Sequence, residues 1–457
     1  MRPREQTRGQ DDLFRARLDQ IIDMRHELVR LAGLMNWRLL DHKLGDMYTD
    51  GPGQPPLPTR LMAGLSILKH THDLSDEELE RRWVENPYFQ FFCGEEFFRH
   101  TSPFDRSSLS RWRTRMGEAR LEILLQESLS VAVKTEAVDV KDLSKVVIDT
   151  TVQEKAITFP TDAKLANRAR EKLIKLAAKH GLKLRQGYPR VGKLALMKHQ
   201  RYAHAKQFNR ARRELRRLKT YLRRVIRDIE RQLKKAPWLE PIFRPMLFLA
   251  QRVHDQQRGQ RGPKVYSLHA PEVECIGKGK ARKPYEFGVK VSIATTVASS
   301  AGGQFVLVAK ALPGTPYDGH TLSTVIPHVE ALIGHEVKRI IADKGYRGHG
   351  LQSPYSMRVF VSEQKRGVTR QIKRELKRRS AVEPVIGHLK SDHRMDRNLL
   401  IGSEGDAANA VLAAIGYNFA RLLAWLRRLW RAMFKLLVGV ALANSTARPA
   451  APTALAA

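Results

Sequence analysis

At 457 residues with 42% hydrophobic side chains, the chain is long enough for roughly two to four domains with ordinary buried cores. Its formal net charge of +34, from 81 Lys and Arg against 47 Asp and Glu, points to a polyanionic partner: nucleic acid first, an acidic membrane surface as the rival. Two cysteines exclude a disulfide framework and a cysteine-rich zinc site, the opening MRPREQTRGQDDLF lacks the apolar segment of a secretory signal, and MFKLLVGVALA at 433–443 is too short to span a bilayer, so a soluble cytosolic protein is expected.

Residues 13–140 read as helical. Ser75 and Glu78 in LSDEELERRW form a capping box, and Asn86-Pro87 ends that helix before the aromatic segment YFQFFCGEEFF. In DRSSLSRWRTRMG, Ser107 or Ser108 can cap a short helix exposing Arg111, Arg113 and Arg115. Such a helix suits a major groove. It equally suits a solvated basic helix packed by Leu109, Trp112 and Met116. KVVIDTTV at 145–152 reads as a strand, and Asp149 within it is unfavourable unless paired, hydrogen-bonded or bound to metal.

Residues 161–260 differ in composition, with 28 Lys and Arg against seven acids. Leu215, Leu218, Leu222, Val225, Ile229 and Leu233 make a helical stripe of near-heptad period, and Leu173, Leu176 and Leu182 suggest a partner helix. The segment reads as a basic helical insertion, a hairpin, whose like charges a polyanion would relieve. The leucine stripe also fits a dimerisation helix.

After 263 the pattern turns to strands. YEFGVKVSIATTV and GQFVLVAKAL read as a hairpin, GHTLSTVIPHVEALIG as a helix, and VKRIIAD and MRVFVSE as two further strands with a helix between them. RELKRRSAVEPVIGHLKSDHRMDRNLL reads as one long helix with Pro384 inside it. Two antiparallel strands followed by alternating helix and strand imply an α/β fold: a mixed sheet with flanking helices. The expected division is a helical N-terminal DNA-binding region at 1–140, a sheet domain at 141–160 and 263–400, the insertion at 161–262, and a C-terminal helix and flexible tail at 401–457.

Asp149 lies on the first of these strands and Asp343 ends the fourth, in IIADKGYRG. A third acid is available from a helix, Glu383, with Arg379 and Lys390 within roughly 60° of its face. Three acids among bases suit phosphoryl transfer, in which two Mg²⁺ ions about 3.5–4 Å apart clamp the attacking and leaving oxygens. Such ions take hard oxygen ligands. Asp318 in PYDGHTL competes as a ligand but reads better as an N-cap. His320, His349, His388 and His393 match no zinc spacing.

These segments resemble the bacterial insertion-sequence transposases of the DDE class. The resemblance rests on VVIDTTV, IIADKGYRG, RRSAVEPVIGHLKSDHRMDRNLLIGSEGDAANAVLAAIGYNFARLL, LPGTPYDGHTL, and the stretch from LPTRLMAGLSILKHTHDLSDEELERRW to NPYFQFFCG. It covers most of 57–160 and 264–426. It implies an RNase H-like catalytic core, with Asp149, Asp343 and Glu383 as catalytic and metal-binding residues for two Mg²⁺, or Mn²⁺ in its place. Arg379 and Lys390 match the Arg and Lys of the family's Tyr-x2-Arg-x3-Glu-x6-Lys pattern, while Leu376 stands at the Tyr position. The implied function is binding of terminal inverted repeats, then metal-dependent strand cleavage and strand transfer. A non-catalytic or purely nucleolytic DNA-binding protein of transposase descent is the alternative. DNA contacts are expected at Arg379, Lys390, Lys344, Arg347, Arg111, Arg113, Arg115, Arg212 and Arg216. The partners implied are terminal-repeat and target DNA, with a homodimer on DNA, no membrane, and a cytoplasmic, nucleoid-associated location.

Overall fold

The computed structural model describes residues 16–48, 56–260, 262–279, 281, 283–298 and 300–446, with side chains in the last helix described to 435. The stretch read for a secretory signal and the expected flexible tail beyond 446 lie outside them.

The N-terminal region forms α1 (Leu18–Ile21), α2 (Glu27–Leu34), α3 (Trp37–Gly45), α4 (Thr59–Thr71), α5 (Asp76–Glu85), α6 (Pro87–Phe92), α7 (Arg106–Lys134) and α8 (Val140–Leu143). Local chemistry sets their ends. Ser75 accepts the Glu78 amide at 3.0 Å, as expected of an N-cap, and Asn86 accepts the Tyr88 and Phe89 amides with Pro87 at the first helical position. The cap of α7 differs from expectation. Asp105, not Ser107 or Ser108, accepts the Ser107 amide at 2.7 Å, because a carboxylate two residues back reaches that orphan N–H directly. Gly117, at φ 62°, kinks α7 just after the arginine-rich turns.

β1 (Lys145–Glu154) leads into α9 (Asp162–Lys179), α10 (Pro189–His204), α11 (Phe208–Leu233) and α12 (Glu240–Asp255). The insertion is therefore a four-helix unit, not a hairpin. Leu218, Leu222, Val225 and Ile229 of α11 are fully buried against Leu173 of α9, Ala195 of α10, and Phe243 and Ala250 of α12. Folding the stripe into the chain's own core leaves it nothing to offer a second subunit, which removes the dimerisation reading. The arginines between the leucines point outward.

The sheet then grows by β2 (Glu274–Gly277), β3 (Tyr285–Thr296), β4 (Val306–Leu312), α13 (Asp318–Ile333), β5 (Arg339–Ala342) and β6 (Val359–Val361). β1 is central, antiparallel to β3 and parallel to β5; β5 is parallel to β6, and β4 and β2 pair with β3. The architecture is thus the mixed sheet with flanking helices that the pattern predicts. β2 was not anticipated, since four residues with one buried side chain, Ile276, carry too little alternation. No α-helix separates β5 from β6; two 3-10 turns do, at Lys344–Tyr346 and Tyr355–Arg358, because Gly345, Gly348, Gly350 and Pro354 disfavour a helix there.

The expected long helix is also broken. It becomes α14 (Arg370–Lys377), a 3-10 turn at Arg378–Ala381, and α15 (Val382–Ser391). Pro384 falls in the first turn of α15, where its missing N–H costs least. α16 (Gly402–Thr446) follows, packing on α7, α4 and β4. Its stretch Gly402–Lys435 is long and apolar enough to cross a membrane by composition, but 78% of its most apolar window is buried inside the protein, as a core helix requires. One apolar core runs from Leu28 through the sheet to Leu426, and the insertion has its own.

Candidate active site

The parallel ladder ends at Val147↔Ile341, two residues before Asp149 and Asp343, and Asp343 leaves β5 close enough to Asp149 for its charge to act there. β5 ends at Ala342 while β1 runs on to Glu154, leaving a crevice at the carboxyl end of β5, where an open sheet characteristically binds ligands. Beneath it Val147 and Ile341 pack against Val382 of α15, with Leu376 at the edge. That apolar contact explains Leu376: the position serves packing here.

Asp149 accepts the Thr150 amide at 2.8 Å, and Arg379 Nη1 stands 3.6 Å from its carboxylate. Burial, reinforced by the neighbouring charges of Asp343 and Asp318, nevertheless pushes it up to about 6, against the pull of the amide and Arg379. Asp343 caps the turn that follows it by accepting the Gly345 amide. Its turn role and its delivery to the site coexist.

Glu383 is not delivered in the same way. Its side chain is 61% exposed against 19% for Asp149, and it accepts a 2.9 Å hydrogen bond from Arg379 Nη2. Arg379, on the 3-10 turn, therefore stands between the two acids. Among the described residues no three acids, histidines or cysteines converge tightly enough to hold an ion. The donor chemistry still fits a hard divalent cation. Carboxylate oxygens gather at one crevice, and the Tyr346 hydroxyl, fully buried and in the field of Asp149, Asp318 and Asp343, lacks a hydrogen-bond partner.

Asp318 was read as an N-cap, but Tyr317 holds that position and Asp318 is the first residue of α13. Its Oδ1 accepts from Thr150 Oγ1 at 2.8 Å and from Lys290 Nζ at 2.9 Å. No local signal marks this role, because Thr150 and Lys290 are distant in sequence. The four histidines play no part among the acids: His388 pairs with Asp392, His393 is buried against the His70 carbonyl, and His320 and His349 make no tight cluster.

The basic residues divide. Lys344 and Arg347 are more than half exposed beside the crevice and share Glu363. Lys390 is half-buried at the far end of β1, where burial holds its ammonium below the usual value and Glu286 and Glu154 oppose the shift. Arg111 and Arg115 are exposed on α7, and Arg212 and Arg216 on α11. Arg113 is not exposed: it makes a bidentate pair with Asp76 at 2.9 and 3.1 Å, tying α7 to α5. A partner 37 residues away pulls it inward.

Residues 16–115 match the family described as "Transposase domain (DUF772)", and residues 347–423, which include Arg379, Glu383 and Lys390, match "Transposase DDE domain". A protein of Rhizobium meliloti named "Uncharacterized protein ORF8 in nfe locus" is 51% identical over 208 residues, 46% of this chain and all of that protein. No solved structure matches the chain significantly. With transposase domains matched on both sides of the insertion and Asp149 set beside Asp343, the chain belongs to the insertion-sequence transposases of the DDE class.

Proposed function

We propose that this transposase binds the terminal inverted repeats of an insertion sequence and catalyses metal-dependent cleavage and transfer of DNA strands. The observation that carries the reading is the approach of Asp343, just past the carboxyl end of β5, to Asp149 on β1, close enough for its charge to act on the Asp149 carboxyl. Strand order supports an RNase H-like core: an antiparallel set around β3, then parallel β5 and β6. Asp149, Asp343 and Glu383 would hold two Mg²⁺, or Mn²⁺, which when bound supply charge neutralisation at the attacking and leaving oxygens. Arg379 keeps Glu383 over the crevice and offsets the charge of Asp149 before DNA arrives. Lys344 and Arg347 fit the phosphates of the strand entering beside them, and Lys390 lies too far along β1 to share that role.

The DNA-binding division follows the same logic. Arg111 and Arg115 on the kinked N-terminal half of α7 are the candidates for reading the repeats. Arg212 and Arg216 on α11 are candidates for holding flanking or target phosphates without sequence preference. Two element ends call for two catalytic sites, so the working form is read as a homodimer on DNA in the cytoplasm, at the nucleoid. The test incubates pure protein with its terminal DNA and Mg²⁺ and maps the ends. Cuts at the element boundary support the reading; intact DNA that is nonetheless bound selectively supports the non-catalytic alternative.

A further inference from the structure

Resting on the ion site proposed above, we propose that Asp318 is a third aspartate of that site, with Lys290 as the positive charge that holds its place until a divalent cation binds. The argument starts from α13, which brings Asp318 to the crevice as its first residue. Only one of its oxygens is used. Oδ1 takes both the Thr150 hydroxyl and the Lys290 ammonium, while Oδ2 lies 3.3 Å from the point where a Cβ on Gly345 would sit. Asp343 Oδ1 lies 3.0 Å from that same point. Gly345 therefore separates two carboxylate oxygens with nothing larger than a hydrogen.

Tyr346 supplies the independent sign of a missing ligand. Its side chain is fully buried, and its hydroxyl makes no hydrogen bond of acceptable geometry. The Thr150 hydroxyl, which donates to Asp318, stands near it without the geometry of a hydrogen bond. A buried hydroxyl surrounded by three aspartates calls for a water, and small divalent ions keep several of theirs when bound. Lys290 also donates to the Pro316 carbonyl at 2.7 Å, so its ammonium is fixed from two sides on Oδ1, where its charge holds Asp318 in place and opposes a cation at Oδ2. Thr150 follows Asp149 on β1, and the charge of Asp318 reaches the Asp149 carboxyl.

The test titrates the full-length protein with Mn²⁺, without DNA, and follows free ion by electron paramagnetic resonance. Asp343→Asn is the control for the site itself and should lose binding. Asp318→Asn keeps the acceptor for Thr150 but removes the charge, and should weaken Mn²⁺ at least tenfold. Lys290→Gln removes the competing cation and should tighten it about threefold. These opposite signs keep the proposal testable even if one variant folds poorly. Unchanged Mn²⁺ affinity in Asp318→Asn, with binding lost in Asp343→Asn, overturns the role of Asp318 and leaves the site standing. Unchanged affinity in Asp343→Asn overturns both.

Discussion

Asp149 is held in a place that disfavours its charge, and that has a measurable cost. Its pKa of about 6 lies above the ordinary aspartate value, so between about pH 4 and 6 the folded protein holds a proton that the unfolded chain has released. Stability is therefore gained as pH falls through 6 and lost as it rises. Asp149→Asn should stabilise the ion-free protein at pH 7 by up to roughly 3 kcal/mol and abolish cleavage; an Asn variant less stable than wild type at pH 7 would remove the burial argument. Arg113 predicts the opposite behaviour. Arg113→Gln leaves Asp76 without its bidentate partner and should cost about 2–3 kcal/mol in thermal or urea unfolding. Arg111→Gln with Arg115→Gln should leave stability within about 0.5 kcal/mol and weaken binding to terminal repeats. Asp149 and Asp343 were legible in the sequence, because a carboxylate in an apolar strand and another at a strand end are unusual enough to ask for a partner. Asp318 was marked as a competing ligand but ranked below an N-cap, since PYDGHTL looks like a helix start whichever way its side chain turns. Arg113 was read as exposed because its partner belongs to another helix.

At the scale of elements, period and composition carried the insertion most of the way. The leucine spacing marks α11 correctly, and the charge count marks its outer surface, but neither says what the leucines touch. They touch α9, α10 and α12. Leu222→Ala should therefore destabilise the insertion by roughly 2–5 kcal/mol and leave the mass in ultracentrifugation unchanged; a clean shift from dimer to monomer would restore the interface reading. Changing Arg212, Arg213, Arg216 and Arg217 together to Gln should weaken binding alike for all DNA sequences and flatten log K against log salt by about two to three, since each lost phosphate contact contributes about 0.9 and the four spread around the helix. Arg217 already pairs with Glu214 and should contribute least. The broken helix before α15 was missed for a physical reason. Helical periodicity survives a 3-10 turn almost unchanged, so hydrophobic spacing alone does not reveal Arg378–Ala381.

Across the whole molecule, the N-terminal helices and the sheet share one apolar core, sealed by α16 against α4 and α7. A fragment ending near residue 140 would expose that face, so binding to terminal repeats is to be measured on the full-length chain. The insertion, with a core of its own, is joined at a buried polar clasp. Lys155, just past the end of β1, pairs with Glu272 at 2.8 Å and Asp406 at 2.7 Å, tying the chain entering and leaving the insertion to α16. The most direct measurement compares wild type and Asp343→Ala on terminal-repeat DNA with Mg²⁺, mapping the ends and measuring binding in the same preparation. Wild type is expected to cut at the element boundary, and Asp343→Ala to bind with affinity within about twofold and cut nothing. Cleavage at the wild-type rate by Asp343→Ala would contradict the site built on Asp149 and Asp343.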